Sequence, residues 1–136
     1  MTALTAPRNT LARTGDVLDF PVAASTTIHQ GALVALSAGY AAPGATATGL
    51  VAVGRAEESA VAVSAGDAKV RVRRGSFKFA NSAAGDQIAQ ADVGADCYIV
   101  DDATVAKTNG TNTRSRAGKI VAVDSDGVWV QIGLGQ

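Results

Sequence analysis

Twelve lysines and arginines against twelve aspartates and glutamates leave this 136-residue chain with no formal net charge. That balance argues against a nucleic-acid binder, because phosphate neutralisation supplies most of such affinity. The apolar fraction of 47% includes 28 alanines, and aromatics reach only 4%, so the length suits one domain with a thin core. Sixteen valines against seven leucines, with frequent threonine and glycine, favour strands and turns over helices. The expected fold is all-β: a small β-barrel or a jelly-roll-like sandwich. The even charge also leaves little self-repulsion and permits dense self-assembly.

Residues 1–19 read as an extended N-terminal arm, and 20–136 as a single β domain. The arm mixes Pro7, Asn9, Gly15, Arg8 and Arg13 with scattered leucines, and no period of 2 or 3.6 holds across it. Leu4, Leu11 and Leu18 recur every seven residues, but Pro7 and Gly15 argue against a helix. Such a stretch is either a frayed terminus or an arm that orders against a neighbouring subunit. There is no apolar core of signal-peptide type, and no run approaches the roughly 18 apolar residues that a bilayer span needs. Synthesis in a cytoplasm is the expectation.

Strand signals begin at Phe20–Ala24 and continue at Gly31–Leu36 and Leu50–Arg55, separated by the loop chemistry of Ser37-Ala38-Gly39 and Ala42-Pro43-Gly44-Ala45. Val61 and Val63 alternate with small residues before a turn at Gly66-Asp67. Lys69–Ala80 has the cleanest alternation. Val70 and Val72 face one way, and Lys69, Arg71 and Arg73 the other, but the parity changes across Arg74-Gly75 before Phe77 and Phe79. A bulge at Gly75 restores a common apolar face; a tight hairpin turn there is the alternative. A short helical turn is expected around Asp86–Val93, ended by Gly94. Asp96–Val100 reads as a strand, with Thr104–Ala106 pairing back and Thr108–Ser115 as a mobile polar loop.

The closing segment 117–133 reads as a β-hairpin. With Asp126-Gly127 at a two-residue type I′ tip, Asp124 faces Trp129, Val123 faces Val130 and Val121 faces Ile132. Val121, Val123, Val130 and Ile132 then share one face, leaving Trp129 on the other.

Reaction chemistry finds little support. His29 and Cys97 are the only residues of their kinds, too few for the nitrogen and sulfur ligands of a structural zinc site. No serine sits at a strand–turn–helix elbow. His29 reads as a turn residue beside Gln30-Gly31, and Cys97 as a buried thiol without an intrachain partner. The aspartates at 101–102 and 124–126 fit turns better than a calcium loop, whose template would put Ala122 and Gly133 at ligand positions. No catalytic, cofactor or metal residue is assigned, and the expectation is a non-enzyme. The sequon at Asn109-Gly110-Thr111 has no secretory context.

Charge is unevenly spread. Lys69 to Lys78 holds five of the twelve basic residues, whereas 81–106 carries Asp86, Asp92, Asp96, Asp101 and Asp102 with no basic residue. The strip is either a solvated strand face or a surface that meets an acidic patch on another protein. Trp129 either covers a second small core or anchors an interface. The interface candidates are Arg8, Leu11, Arg13, Arg71, Arg73 and Trp129.

The segments FPVAASTTIHQGALVAL, VRVRRGSFKFANS, ADVGADCYIVDDATVAKT and GKIVAVDSDGVWVQI together resemble the small capsid cement, or head decoration, proteins of tailed bacteriophages. The resemblance spans about Phe20 to Ile132 and lies in overall pattern, since that family has no catalytic signature. It implies a compact β module on the outer capsid surface of a virion, made in the bacterial host cytoplasm. It also implies binding to the major capsid protein at capsomer junctions and to itself as a homodimer or homotrimer, with no direct nucleic acid and no membrane. The competing reading is a carbohydrate- or receptor-binding surface module, for which only Trp129, Tyr40 and Tyr98 offer stacking faces.

Overall fold

A computed structural model describes residues 3–11 and 15–133, and the fold is all-β. Among the described residues twelve strands are formed: β1 Val17–Pro21, β2 Thr26–Ile28, β3 Leu33–Ser37, β4 Tyr40–Pro43, β5 Val51–Ala56, β6 Ala60–Ala62, β7 Lys69–Arg73, β8 Gly75–Asn81, β9 Asp96–Ile99, β10 Thr104–Ala106, β11 Arg116–Asp124 and β12 Gly127–Ile132. The helical turn expected at 86–93 is two short 3-10 turns, Ala84–Asp86 and Gln90–Asp92.

The strands form two lobes. β8 to β12 close into a five-stranded barrel in the order β10-β8-β12-β11-β9. β1, β7, β5, β3 and β4 form a five-stranded sheet. A parallel bridge between Val22 and Ala41 draws its two edges together, so it too curls into a barrel. β2 and β6 pair as a separate two-stranded ribbon.

The two barrels have the same topology. In each, the first strand in chain order meets the third in parallel (Val22 with Ala41; Val105 with Asn81). The third pairs antiparallel with the second, the second with the fourth, the fourth with the fifth, and the fifth with the first. The registers superimpose around the whole ring. Arg55 opposite Arg73 corresponds to Lys119 opposite Gln131, and Phe20 opposite Val70 to Phe79 opposite Val128. Even the bulge recurs: β5 skips Val53 opposite β3, and β11 skips Ala117 opposite β9.

The hydrogen bonds agree. Gly31 N–H donates to Ala56 O and Gly94 N–H to Ile120 O, both at 2.9 Å. The returning bonds, Ala56 N to Ala32 O and Ile120 N to Ala95 O, also match at 2.9 Å. Gly31 and Gly94 hold nearly the same left-handed φ, 89° and 93°, where a side chain would be strained. Gly54 and Gly118 are equivalent as well. A Cβ on either would run into a carbonyl of the neighbouring strand, that of Arg73 or of Gln131.

Two cores follow. Val34, Ala56, Val70 and Val72 line the first barrel, with Phe20 and Leu36 partly buried. Cys97, Ile120, Val128, Val130, Phe79 and Ile99 take the matching places in the second. The contact between barrels is not reciprocal. Leu33, Ala35 and Ala52 of the first are buried in the second barrel's cluster, whereas the matching positions of the second, Asp96, Tyr98 and Arg116, are partly exposed and polar. β3 is therefore buried on both faces through Leu33, Val34 and Ala35, which explains its unbroken apolar run.

Three local expectations are corrected. Arg74-Gly75 forms neither a bulge nor a hairpin turn: β7 belongs to one barrel and β8 to the next. The parity changes because Val70 and Val72 fill the first core while Phe77 and Phe79 pack in the second. The closing hairpin turns at Ser125-Asp126, with Asp124 opposite Gly127 and Ala122 opposite Trp129. A bulge at Val121 leaves that residue exposed, and Ile120 takes the core position opposite Val130. Gly127 serves close packing, since a Cβ there would strike Lys78 and the Phe79 carbonyl. Finally, β1 starts at Val17, inside the stretch read as arm, because Val17 to Pro21 pair with Arg73 to Lys69.

Candidate interaction surfaces

The interface candidates fall in separate places. Arg8 and Leu11 belong to a segment, 3–11, exposed at every residue; Leu4 is 67% and Leu11 88% exposed. Arg13 lies outside the described residues. Arg71 and Arg73 project from the exposed face of β7, and Trp129 from that of β12. By register, Arg71 and Trp129 occupy the same position in the two barrels. Trp129 faces away from the aliphatic core as its alternation requires, and its indole N–H donates to Asp124 Oδ2 at 2.8 Å.

The basic strip is largely neutralised within the chain. Arg71 meets Asp19 at 3.7 Å, and Arg73 meets Glu57 at 3.3 Å. Arg55 also binds Glu57 and lies over the Phe77 ring, 4.4 Å from its centre. Lys78 sits between Asp126 and Asp124. The acidic span is matched by downstream cations. Arg114 pairs with Asp86 and Lys107 with Asp92, while Arg116 and Lys119 both reach Asp96 Oδ1 at 2.8 Å. Sequence alone leaves the strip as a solvated face or as a surface for another protein's acidic patch; Arg71, Arg73 and Lys78 instead find acidic partners within the chain.

The ionisable groups respond accordingly. Hydrogen bonding to Arg55 and then Arg73 holds Glu57 below the usual carboxylate range. The Thr108 hydroxyl and Arg114 do so for Asp86, Lys119 and Arg116 for Asp96, and Lys78 for Asp126. Lys78 is raised, chiefly by Asp126. Burial pushes the Cys97 thiol up to about 12, so it carries almost no thiolate at neutral pH.

His29 is exposed beside the Gln30-Gly31 turn, where its carbonyl accepts from Ala32 N. Cys97 lies inside the second barrel, so the two form no pair. Among the described residues no group of three His, Cys, Asp or Glu side chains is placed to hold a metal, and no helix is long and apolar enough to cross a membrane. Asp101 caps its own turn by accepting from Ala103 N at 2.9 Å. The 108–115 loop is tied down rather than loose: the Asn109 carbonyl accepts from the amides of Thr113 and Arg114, and the Arg114 guanidinium reaches Thr108 O and Asp86.

A groove of about 550 Å³ lies beside the closing hairpin, lined by Asn81, Ile88 and Asp124–Gly127 among others. In the first barrel the matching crossover is longer and carries β6, which covers β2. In the second, the side-chain amide of Asn81 takes that strand's place, donating to Ile88 O and accepting from Ile88 N, both at 2.9 Å. Nothing in the sequence signalled this substitution, because it depends on the alignment of two barrels.

Comparison with known proteins gave no match: no family model, no curated protein and no solved structure matches the chain.

Proposed function

We propose that the chain is a structural cement, or decoration, protein that binds the outer surface of a tailed-phage capsid and stabilises the shell at capsomer junctions. The observation that carries this reading is a contrast within the molecule. The charged groups of the body are mostly engaged in pairs of their own, whereas residues 3–11 leave every side chain in solvent, two leucines included. Two exposed leucines on an extended segment give it apolar contacts to offer another protein. The sequence resemblance supports the same reading, as does a double barrel whose one cysteine is buried. Repeated on a symmetric shell, modest contacts gain strength from high effective concentration.

The test uses shells of the parent particle's major capsid protein. Purified chain should co-sediment with them saturably and raise the temperature at which they open. Removing residues 1–15 should lower occupancy while leaving the urea midpoint of the chain unchanged. Full occupancy without the segment would refute its role, and no binding by the intact chain would refute the function.

A further inference from the structure

Among the described residues, the four most exposed large apolar side chains lie in only two places. Leu4 and Leu11 are in the N-terminal segment; Val61 and Val63, 64% and 76% exposed, are on and just after β6. The second pair runs against the logic of its strand. β6 turns its alanines inward, Ala60 and Ala62 at 7% and 3% exposure, and its valine to solvent opposite Thr27. A strand with only a local core to satisfy would place the larger side chains inside.

The ribbon is also where the barrels differ most. The crossover between the fourth and fifth strands runs from Glu57 to Ala68 in the first barrel, whereas in the second only Ser125-Asp126 separate the two strands. The added segment carries Glu57, Glu58 and Asp67 and no basic residue; residues 3–11 carry Arg8 and no acidic one. Glu57 is held by Arg55 and Arg73, but Glu58 is exposed and makes no ion pair among the described residues.

We propose that the 3–11 segment of one copy docks on the β2–β6 ribbon of a second copy, with Leu11 covering Val61 and Val63 and Arg8 facing Glu58. The geometry favours a second copy over the same chain. The segment leaves the body before Asp16, whose carbonyl is tied to Arg74 N. The ribbon joins at the other end of β1, where Val22 bonds Ala68 and Gly66. Six residues of extended chain, about 20 Å, separate the two points, whereas the five residues from Leu11 to Asp16 span only about 17 Å. Donor and acceptor surfaces at opposite ends of one body make a heterologous contact, which builds closed rings or open chains. This contact uses the same segment that carries the proposed capsid function, but it forms without a shell, so the two are tested separately.

Cross-linking in the intact chain tests it. Leu11→Cys and Val63→Cys are made in separately tagged chains, with Val121→Cys, exposed on the second barrel, as control; Cys97 is buried and does not compete. A short bis-maleimide should join Leu11→Cys to Val63→Cys chains well above the yield with Val121→Cys. In sedimentation velocity, Val63→Lys should weaken self-association about tenfold, the effect of exposing one buried valine. Equal yields with the control would overturn the proposal. So would cross-links confined to a single chain in the double variant, association unchanged by Val63→Lys, or a wild-type chain that stays monomeric up to millimolar concentration.

Discussion

The two barrels solve one packing problem with two sequences. Strand order, register, bulge and the positive-φ glycine before the second strand coincide, yet few residues do: Phe20 and Phe79, Gly31 and Gly94, Ala32 and Ala95, Ala42 and Ala106, Gly54 and Gly118, Val70 and Val128, Val72 and Val130. These shared positions are where sterics leave little choice. Core sites tolerate exchanges of shape, such as Val34 against Cys97 or Ala56 against Ile120, because neighbouring volumes compensate. A backbone approach that excludes a Cβ has no such freedom. The surfaces diverge further: Arg71 of the first barrel is Trp129 of the second, and Asp19 is Lys78.

The sharpest way to break this equivalence is at the paired glycines. Gly54→Ala and Gly118→Ala each drive a Cβ into a strand carbonyl. Each should cost about 3 kcal/mol or more in urea unfolding, the range of buried steric strain. Because Leu33, Ala35 and Ala52 bury into the neighbouring barrel, both variants should shift a single transition. Two resolved transitions would show the barrels to be independent.

A smaller effect probes where the barrels differ. Asn81→Ala removes the amide that closes both polar groups of Ile88 and should cost about 1–2 kcal/mol. The equivalent residue, Val22, gains its pairing from backbone, with its amide on Ala68 O. Val22→Ala should therefore lose packing but no hydrogen bond, which residue-resolved hydrogen exchange at the Ile88 and Val22 amides would separate.

The smallest expected effect is electrostatic. Glu57, Asp86, Asp96 and Asp126 have lowered pKa values in the fold. Between the folded and unfolded values the unfolded chain binds more protons, so stability rises with pH there. The contribution is complete above the ordinary carboxylate range of about 4 and is lost as pH falls through the folded values. Lys78 runs the other way: its contribution is complete below the ordinary lysine value of about 10.4 and fades as pH climbs through its raised folded value. These pairs are largely solvent-facing, so both limbs should flatten in high salt; urea midpoints from pH 2 to 11 at two ionic strengths would show it.

Much of the fold was legible in local pattern. The β class, most strands, the outward Trp129 and the pairing of Thr104–Ala106 with β9 follow from alternation and turn residues. What escaped was set by distant neighbours. Gly127 reads as a turn glycine until β8 is laid against it, which moved the hairpin register by one residue at its tip. The parity change at Gly75 reads as a bulge when one core is assumed, and as a crossover once there are two. The repeat left no sequence signal because its shared residues are few and scattered. Of the candidate surfaces, exposure of Arg71, Arg73 and Trp129 was readable from strand parity, whereas the solvent-facing valines of β6 required knowing which side of the ribbon the barrel covers.

The central functional claim is tested most directly by an electron cryomicroscopy map of the parent particle. The account predicts two-lobed density on the outside of the shell, fitted by the paired barrels, with extended density for residues before Asp16 running onto a neighbouring molecule. A shell at full resolution with no density of this shape would contradict it.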